Sequence, residues 1–216
     1  MKSDIFQSID NSLRKYVEDD IISRYDAFDA GHRRDHVLMV IEQSLELAQY
    51  YDVDINMVYA IAAYHDTGLI AGREKHHIVS GEIVRADVRL RQWFDNEQIS
   101  VIADAVLDHR ASNSNEPRTI YGKIVAEADR VIDSDIIVRR TIQYGLAHYP
   151  QYGKEEHYAR FVEHIMEKYA EGGYLKLWIP ESTNAKRLCE FQQRIKNLNE
   201  LQMLFEKEWQ SLTAKA

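Results

Sequence analysis

Apolar residues recur along this chain mainly three and four positions apart, the spacing that lines one face of an α-helix. Ile5, Ile9, Leu13, Tyr16 and Val17 predict an N-terminal helix over 3–25, and Val37, Val40, Ile41, Leu45 and Ala48 predict a second over 34–50. Further helices are predicted over 55–67, 78–93 (inward Ile83, Val84, Val88, Leu90), 97–109 (Ile99, Ile102, Ala103, Val106) and 119–147 (Ile124, Val125, Ala128, Val131, Ile132). After His148-Tyr149-Pro150 the composition shifts. Residues 154–171 are amphipathic, Gly172-Gly173 interrupts them, and Tyr174 to Pro180 forms a short apolar connector. A last helix is predicted over 183–212, with Leu188, Phe191, Ile195, Leu198, Leu201, Met203, Leu204 and Phe205. Strand-like alternation is scarce, and three prolines and nine glycines in 216 residues leave long uninterrupted segments. The expected fold is all-α, with residues 1–150 as one helical domain and residues 151–216 as a C-terminal helical extension packed on it. No internal repeat or low-complexity tract interrupts this reading.

One helix carries unusual chemistry at its end. The apolar run from Met57 to Tyr64 leads directly into His65-Asp66-Thr67-Gly68. Two residues of metal-ligand type at the mouth of a buried helix are costly unless something cationic satisfies them. Neighbours on a helix point about 100° apart, so His65 and Asp66 can share an ion only if the helix stops. Gly68 is expected to permit this by taking the left-handed conformation. Other candidate ligands sit near helix edges. His36 lies one turn before Val40, on the inward stripe. Asp129 borders the apolar face of the helix predicted over 119–147, where an unpaired carboxylate is expensive. His76 and His77 precede one amphipathic stretch, and His109 closes another.

The order His36, then His65-Asp66, then Asp129 resembles the HD superfamily of metal-dependent phosphohydrolases. The resemblance spans roughly residues 31 to 135. It extends to His76, which stands four before Ser80 and six before Glu82, the spacing of a further metal segment in several branches; His76 fits it better than His77. Asp108-His109-Arg110 looks like the additional histidine of two-metal branches. The resemblance implies an HD-domain helical bundle over 1–150 with additional C-terminal helices. It also implies a divalent metal (Mn, Fe, Co, Ni, Zn or Mg) on His36, His65, Asp66 and Asp129. His76 and His109 then hold a second metal bridged by Asp66, or act with Asp66 as catalytic groups. The chain departs from relatives at Met39, where many carry Arg. At Leu69 the nucleotidase-like branch tends to have Glu and the cyclic-dinucleotide phosphodiesterase branch Lys, so neither subgroup is indicated. Glu127-Ala128-Asp129 replaces a common Asp-Ala-Asp and keeps the ligand.

The implied activity is hydrolysis of a small phosphate ester, a nucleotide or related metabolite, by metal-activated water. The alternatives are a di-iron oxygenase or lyase of the same fold, or a nucleotide-binding sensor without turnover. Retention of every ligand argues against the sensor. Arg110 is the expected substrate-binding cation, because it heads the polar loop Ala111 to Pro117. Arg33, Arg34, Arg73, Lys75 and Arg130 read as solvated helix faces, and His148, His157 and His164 as ordinary surface or core histidines. Tyr144, Tyr149, Tyr152 and Tyr158 read as packing.

Net charge changes the picture of partners. At −8 the chain is poorly suited to track extended nucleic acid, which requires a basic surface. A small phosphorylated substrate needs only a few local cations. Cys189, the single cysteine, excludes an internal disulfide and is expected to pack beside Leu188 and Phe191. The N-terminus lacks an apolar signal core and no stretch is long and apolar enough to span a bilayer, so the expected location is cytoplasmic, with no membrane partner. The C-terminal helices either pack on the catalytic helices or form a homodimer surface.

Overall fold

The computed structural model describes residues 2–28, 34–110 and 115–214. Among them are eleven α-helices and no strand, so the fold is all-α. By their contacts the residues form two units, Met1–Arg130 and Val131–Ala216. No helix of the described residues is long and apolar enough to cross a membrane.

The first unit is built around α4 (Ile55–Tyr64), in which every side chain from Met57 to Tyr64 is buried. A helix that is apolar on all sides has no face to offer solvent and must be surrounded. Accordingly α3 (Arg34–Ala48), α6 (Asn96–Asp108) and α7 (Ile120–Ala128) all pack on it. Asp54 starts α4 by accepting the amides of Asn56 and Met57, the usual device for satisfying orphan donors at a helix start. In the same way Asp95 and Gln98 close a capping box at the head of α6. The helix α5 (His76–Ala86) lies against α6, and Gly81 allows the approach, since a Cβ there would stand 3.1 Å from the Ala103 carbonyl oxygen.

Four of the predicted helices are broken, each at a capping side chain. The segment 3–25 contains α1 (Lys2–Gln7), α2 (Asn11–Tyr16), a π-turn (Val17–Ile21) and a 3₁₀ turn (Ile22–Ala27). Asp10 begins α2 by accepting the amides of Ser12 and Leu13. Ile9, Leu13, Tyr16 and Val17 are nonetheless buried as expected. The segment 119–147 divides into α7 and α8 (Ser134–His148), with Asp133 capping the second. Asp129 is therefore at the end of α7 and not inside a helix. The segment 183–212 divides at Asn197, which caps α11 (Leu198–Thr213) after α10 (Thr183–Ile195). Similarly α5 stops at Ala86 and a 3₁₀ turn follows (Val88–Gln92). The phase resets there, so Leu90 is buried while Val88, expected inward, is 67% exposed.

The second unit contains α8, α9 (Lys154–Tyr169), α10 and α11 around a core that includes Ile137, Val138, Ile142, Phe161, Phe191 and Phe205. Phe205 meets Phe161 at 5.3 Å, Tyr158 at 5.1 Å and Trp209 at 5.4 Å between ring centroids, within the range of favourable aromatic pairs. Gly172, at φ 83°, supplies the left-handed step after α9 that any other residue would take only under strain. Cys189 is exposed, which corrects the expectation that it packs. Phe191 holds the inward face of α10, and a residue two places earlier points about 200° away from it.

A polar cluster ties the N-terminal helices of the first unit to α4 and α5. The hydroxyls of Tyr16 and Tyr64 both donate to Asp87 Oδ2, that of Tyr64 at 2.5 Å. Tyr16 also stacks on Trp93, whose indole donates to Ser12 Oγ at 2.8 Å. Burial first, then the hydrogen bond to Asp87, pushes both phenols above their ordinary range. A phenol held neutral in the fold but free to ionise when unfolded stabilises the fold below pH about 10, and that contribution is lost as pH rises beyond it. Urea midpoints should therefore fall between about pH 9 and about pH 11, and fall less steeply in a Tyr64→Phe variant. Equal slopes would place the alkaline loss elsewhere.

Candidate metal centre

The end of α4 explains how two adjacent residues reach one site. The last carbonyls of a helix have no partner inside it, and here three side chains take them. His65 Nδ1 donates to Ala62 at 2.8 Å, the Tyr25 hydroxyl to Ala63 at 2.9 Å, and the Thr67 hydroxyl to Tyr64 at 2.8 Å. Tyr25 also accepts the Asp66 amide at 3.2 Å. With its carbonyls occupied the helix stops, and Asp66 turns into the sparsely used region at φ −108°, ψ 7°. Gly68 does not adopt the left-handed conformation expected of it; the positive-φ glycine of this segment is Gly72, at φ 92°. Gly68 is required by close approach. A Cβ there would lie 2.1 Å from the His76 carbonyl oxygen and 2.5 Å from the Ser80 nitrogen. Its own amide donates to Ser80 Oγ at 2.8 Å, which docks the turn onto the start of α5.

Five of the ligand candidates, drawn from five helices or their ends, converge with Asp66. His36 Nε2 is 3.4 Å from His65 Nε2, 3.8 Å from Asp66 Oδ2 and 3.1 Å from Asp129 Oδ1. His65 Nε2 is 3.3 Å from Asp66 Oδ2 and 3.7 Å from Asp129 Oδ1. On the other side of the same carboxylate, Asp66 Oδ1 is 3.4 Å from His76 Nε2 and 3.5 Å from His109 Nε2, which are 3.2 Å apart. Donors about 2.1 Å from an ion and 90–110° apart stand about 3.0–3.4 Å from one another, so most pairs in both sets are near the spacing of a ligand shell, and the 3.7 and 3.8 Å pairs of the first set are wider. The clusters His36, His65, Asp66 and Asp66, His76, His109 share one residue, Asp66, which presents an oxygen to each.

The tautomers test whether these groups suit a cation. His65, His76 and His109 each face a carbonyl three residues earlier through Nδ1: Ala62 at 2.8 Å, Arg73 at 2.7 Å and Val106 at 2.6 Å. A carbonyl can only accept, so Nδ1 carries the proton and a neutral ring presents a lone pair at Nε2. His76 Nε2, His109 Nε2 and Asp66 Oδ1 are then three acceptors facing one another. That arrangement is unfavourable unless a proton or a metal cation stands between them, and the donor set fits a divalent ion.

Without a metal, a proton on His65 offsets the acceptors on the other side of Asp66. Burial, the largest influence on His65, lowers its affinity for a proton, but the charge and hydrogen bond of Asp66 and the charge of Asp129 together raise its pKa to about 9. Burial would raise both carboxyls, yet His65 and His109 hold Asp66 far below the usual range, and His36 and His65 bring Asp129 to about 2. Arg110 donates to the Glu74 carbonyl at 2.6 Å; burial first, with the Arg110 charge adding to it, lowers the basicity of the His76 and His77 imidazoles. Most of the loop that Arg110 heads, Ala111 to Ser114, lies outside the described residues, as does Arg33. His77 is buried against His76, with ring centroids 5.5 Å apart, but belongs to neither donor set, and its Nδ1 lacks a hydrogen-bond partner among the described residues. Tyr25 is the site residue that sequence reasoning missed; its partners stand 38 and 41 positions away and leave no local signal.

Comparison with known proteins agrees with this arrangement. Residues 33–132 match the family model described as HD domain, and the chain carries an HD domain over that segment. Among curated proteins, a tRNA (cytidine(56)-2'-O)-methyltransferase of Thermoplasma volcanium is 28% identical over 147 residues, covering 63% of this chain and 41% of that protein. The chain thus spans less than half the length of that relative. No solved structure matches the chain significantly. An HD domain with this His/Asp cluster indicates a divalent metal site.

Two outcomes follow from the geometry. Because His65 must lose its proton to ligate, apparent metal affinity should rise with pH up to about 9 and level off above it; competition titrations with a chromophoric chelator would measure this, and a flat profile would contradict the proposed competition. Gly68→Ala should cost about 1–3 kcal/mol of stability and displace His76, lowering metal content while helicity is retained. Wild-type metal content and melting temperature would show that the turn yields freely.

Proposed function

We propose that the chain is a metal-dependent phosphohydrolase acting on a small phosphate ester, a nucleotide or a related metabolite. The observation that carries this reading is the pair of donor sets sharing Asp66, with His36, His65 and Asp129 on one side and His76 and His109 on the other. When bound, divalent ions would supply activated water and, with only two carboxylates in the set, positive charge left over for phosphoryl oxygens. The residues of the chain do the rest. Asp66 orients both sides through its two oxygens. The Nδ1 bonds of His65, His76 and His109 to carbonyls fix their rings so that Nε2 alone faces the other donors. With one ion in place, His76 and His109 would be left to hold a proton or to meet a phosphate oxygen, and both are hydrogen-bonded into position for that. His76 is the more accessible, with 13% of its side chain exposed against 1% for His109, and is the better placed to receive substrate.

Arg110 is the cation we assign to substrate, through a phosphate or another anionic group, since its charge already bears on His76. The methyltransferase activity in the relative's name is not carried over, because 28% identity across 41% of that protein leaves its chemistry without residues to map. The test is a screen of nucleoside phosphates and other phosphorylated metabolites with added Mn. Hydrolysis should be lost in Asp66→Ala while the far-ultraviolet circular dichroism of the wild type is kept. Activity within a few-fold of wild type would end the proposal, and loss of folding would make the metal structural. Substituting both His76 and His109 by Ala should lower the metal content by about half and reduce the rate by at least about 100-fold. Retention of both metal content and rate would separate these two residues from the site.

A further inference from the structure

The second unit contains a concentration of positive charge that the metal cluster does not use. Between α8 and α9 lies a cavity of about 390 Å³, within the range of small-ligand sites. Arg140 and Tyr144 of α8 line it, as do Arg160, His164, Lys168 and Tyr169 of α9, and none of its lining residues is acidic. In a chain of net charge −8 that exclusion is selective. Arg160, His164 and Lys168 are spaced four apart and so share one face of α9, where like charges repel. The glutamates of the same helix, Glu155, Glu156, Glu163 and Glu167, are exposed.

Several other cations of this unit are paired with carboxylates. Arg139, next to Arg140, meets Glu208 at 2.9 Å; Arg194 meets Glu200 at 2.8 Å, and Lys207 meets Asp135 at 3.2 Å. Arg140 has no ion pair among the described residues. Arg160 donates to the Thr141 carbonyl, but its Nε is buried without a hydrogen-bond partner among the described residues. Its guanidinium centre stands 5.6 Å from the Tyr144 ring centroid and 5.7 Å from that of Tyr149, an arrangement that positions the group without neutralising it. Gly145 accommodates it, since a Cβ there would be 2.9 Å from a guanidinium nitrogen of Arg160. Burial first, then the charges of Lys168 and Arg160, lowers the basicity of His164, so the three groups act on one another across the same space.

We propose that this cavity binds the phosphoryl groups of a small phosphorylated ligand, with Arg140, Arg160 and Lys168 supplying the charge and Tyr144 and Tyr169 the walls. Planar guanidinium groups with free donors match phosphate oxygens in pairs, and three cations in one cavity favour an anion of charge −2 or more over a single carboxylate. The site is distinct in residues from the His/Asp cluster and does not depend on hydrolysis there.

The test is calorimetric titration of the full chain carrying Asp66→Ala, in chelator and low salt, with pyrophosphate and separately with ATP. Saturable binding near one per chain is expected, weakened at least about ten-fold when Arg140 and Lys168 are both changed to Gln. These two are chosen because Arg160 also holds the Thr141 carbonyl. The ligand-free double variant should keep the far-ultraviolet circular dichroism of the parent, so that lost binding is read on a folded chain. Equal affinity for the two probes would assign the site to phosphoryl groups alone, and tighter ATP binding that is lost in Tyr144→Ala would extend it to the nucleoside. Binding of both probes weaker than about 1 mM, or binding undiminished in the double variant, would overturn the proposal.

Discussion

Asp66 is the group around which the first unit is arranged. Only 4% of its side chain is exposed, and a buried carboxylate carries a desolvation cost of several kcal/mol unless partners offset it. Imidazoles stand 3.3–3.8 Å away on both sides of it. To place the carboxylate there α4 ends where its apolar run ends, at Tyr64, and the chain turns directly after it. The carbonyls thereby freed must find donors in a region that water does not reach. His65, Tyr25 and Thr67 are those donors, and Gly68 lets the following turn lie against α5. Removing one of these supports would therefore act on the site through the backbone.

The donors share a second property, which is their position at helix ends. His65, His109 and Asp129 are the C-terminal caps of α4, α6 and α7. The C-terminal end of a helix carries the equivalent of about half a negative charge, and three such ends aimed at one cluster favour a cation before any side chain is counted. The same ends supply free carbonyls, and His65 and His109 each use one three residues back to fix the ring. Histidine at a C-cap thus satisfies an orphan carbonyl with one nitrogen and presents the other to the cavity.

The chemistry of the site was legible in the sequence because its residue types are expensive to bury without a purpose, as His65-Asp66 after eight apolar residues illustrates. The preference for His76 over His77 came from the family resemblance, through its spacing to Ser80 and Glu82, and the Gly68 to Ser80 contact gives the position of Ser80 a physical reason. Helix ends were less legible. Apolar periodicity continues through Asp10, Asp133 and Asn197, yet each side chain captures the amides that follow it and restarts the helix. Such caps are written in the sequence, but they compete with periodicity and win only where the tertiary fold needs a turn. Tyr25 was invisible for a different reason: its role exists only once residues about 40 positions away are brought to its hydroxyl.

Sharing one carboxylate also couples the two halves of the centre. An oxygen of Asp66 committed to His36 and His65 lowers the electron density available to the other, and two cations held across a single carboxylate repel. A first ion would therefore favour the set with two carboxylates, Asp66 and Asp129, and a second would meet two imidazoles and a carboxylate already in use. Three facing acceptors at His76, His109 and Asp66 would oppose that penalty, because an ion between them relieves their mutual repulsion. Any ion there would compete with protons for the same lone pairs, so ligation through the imidazoles would be favoured as pH rises.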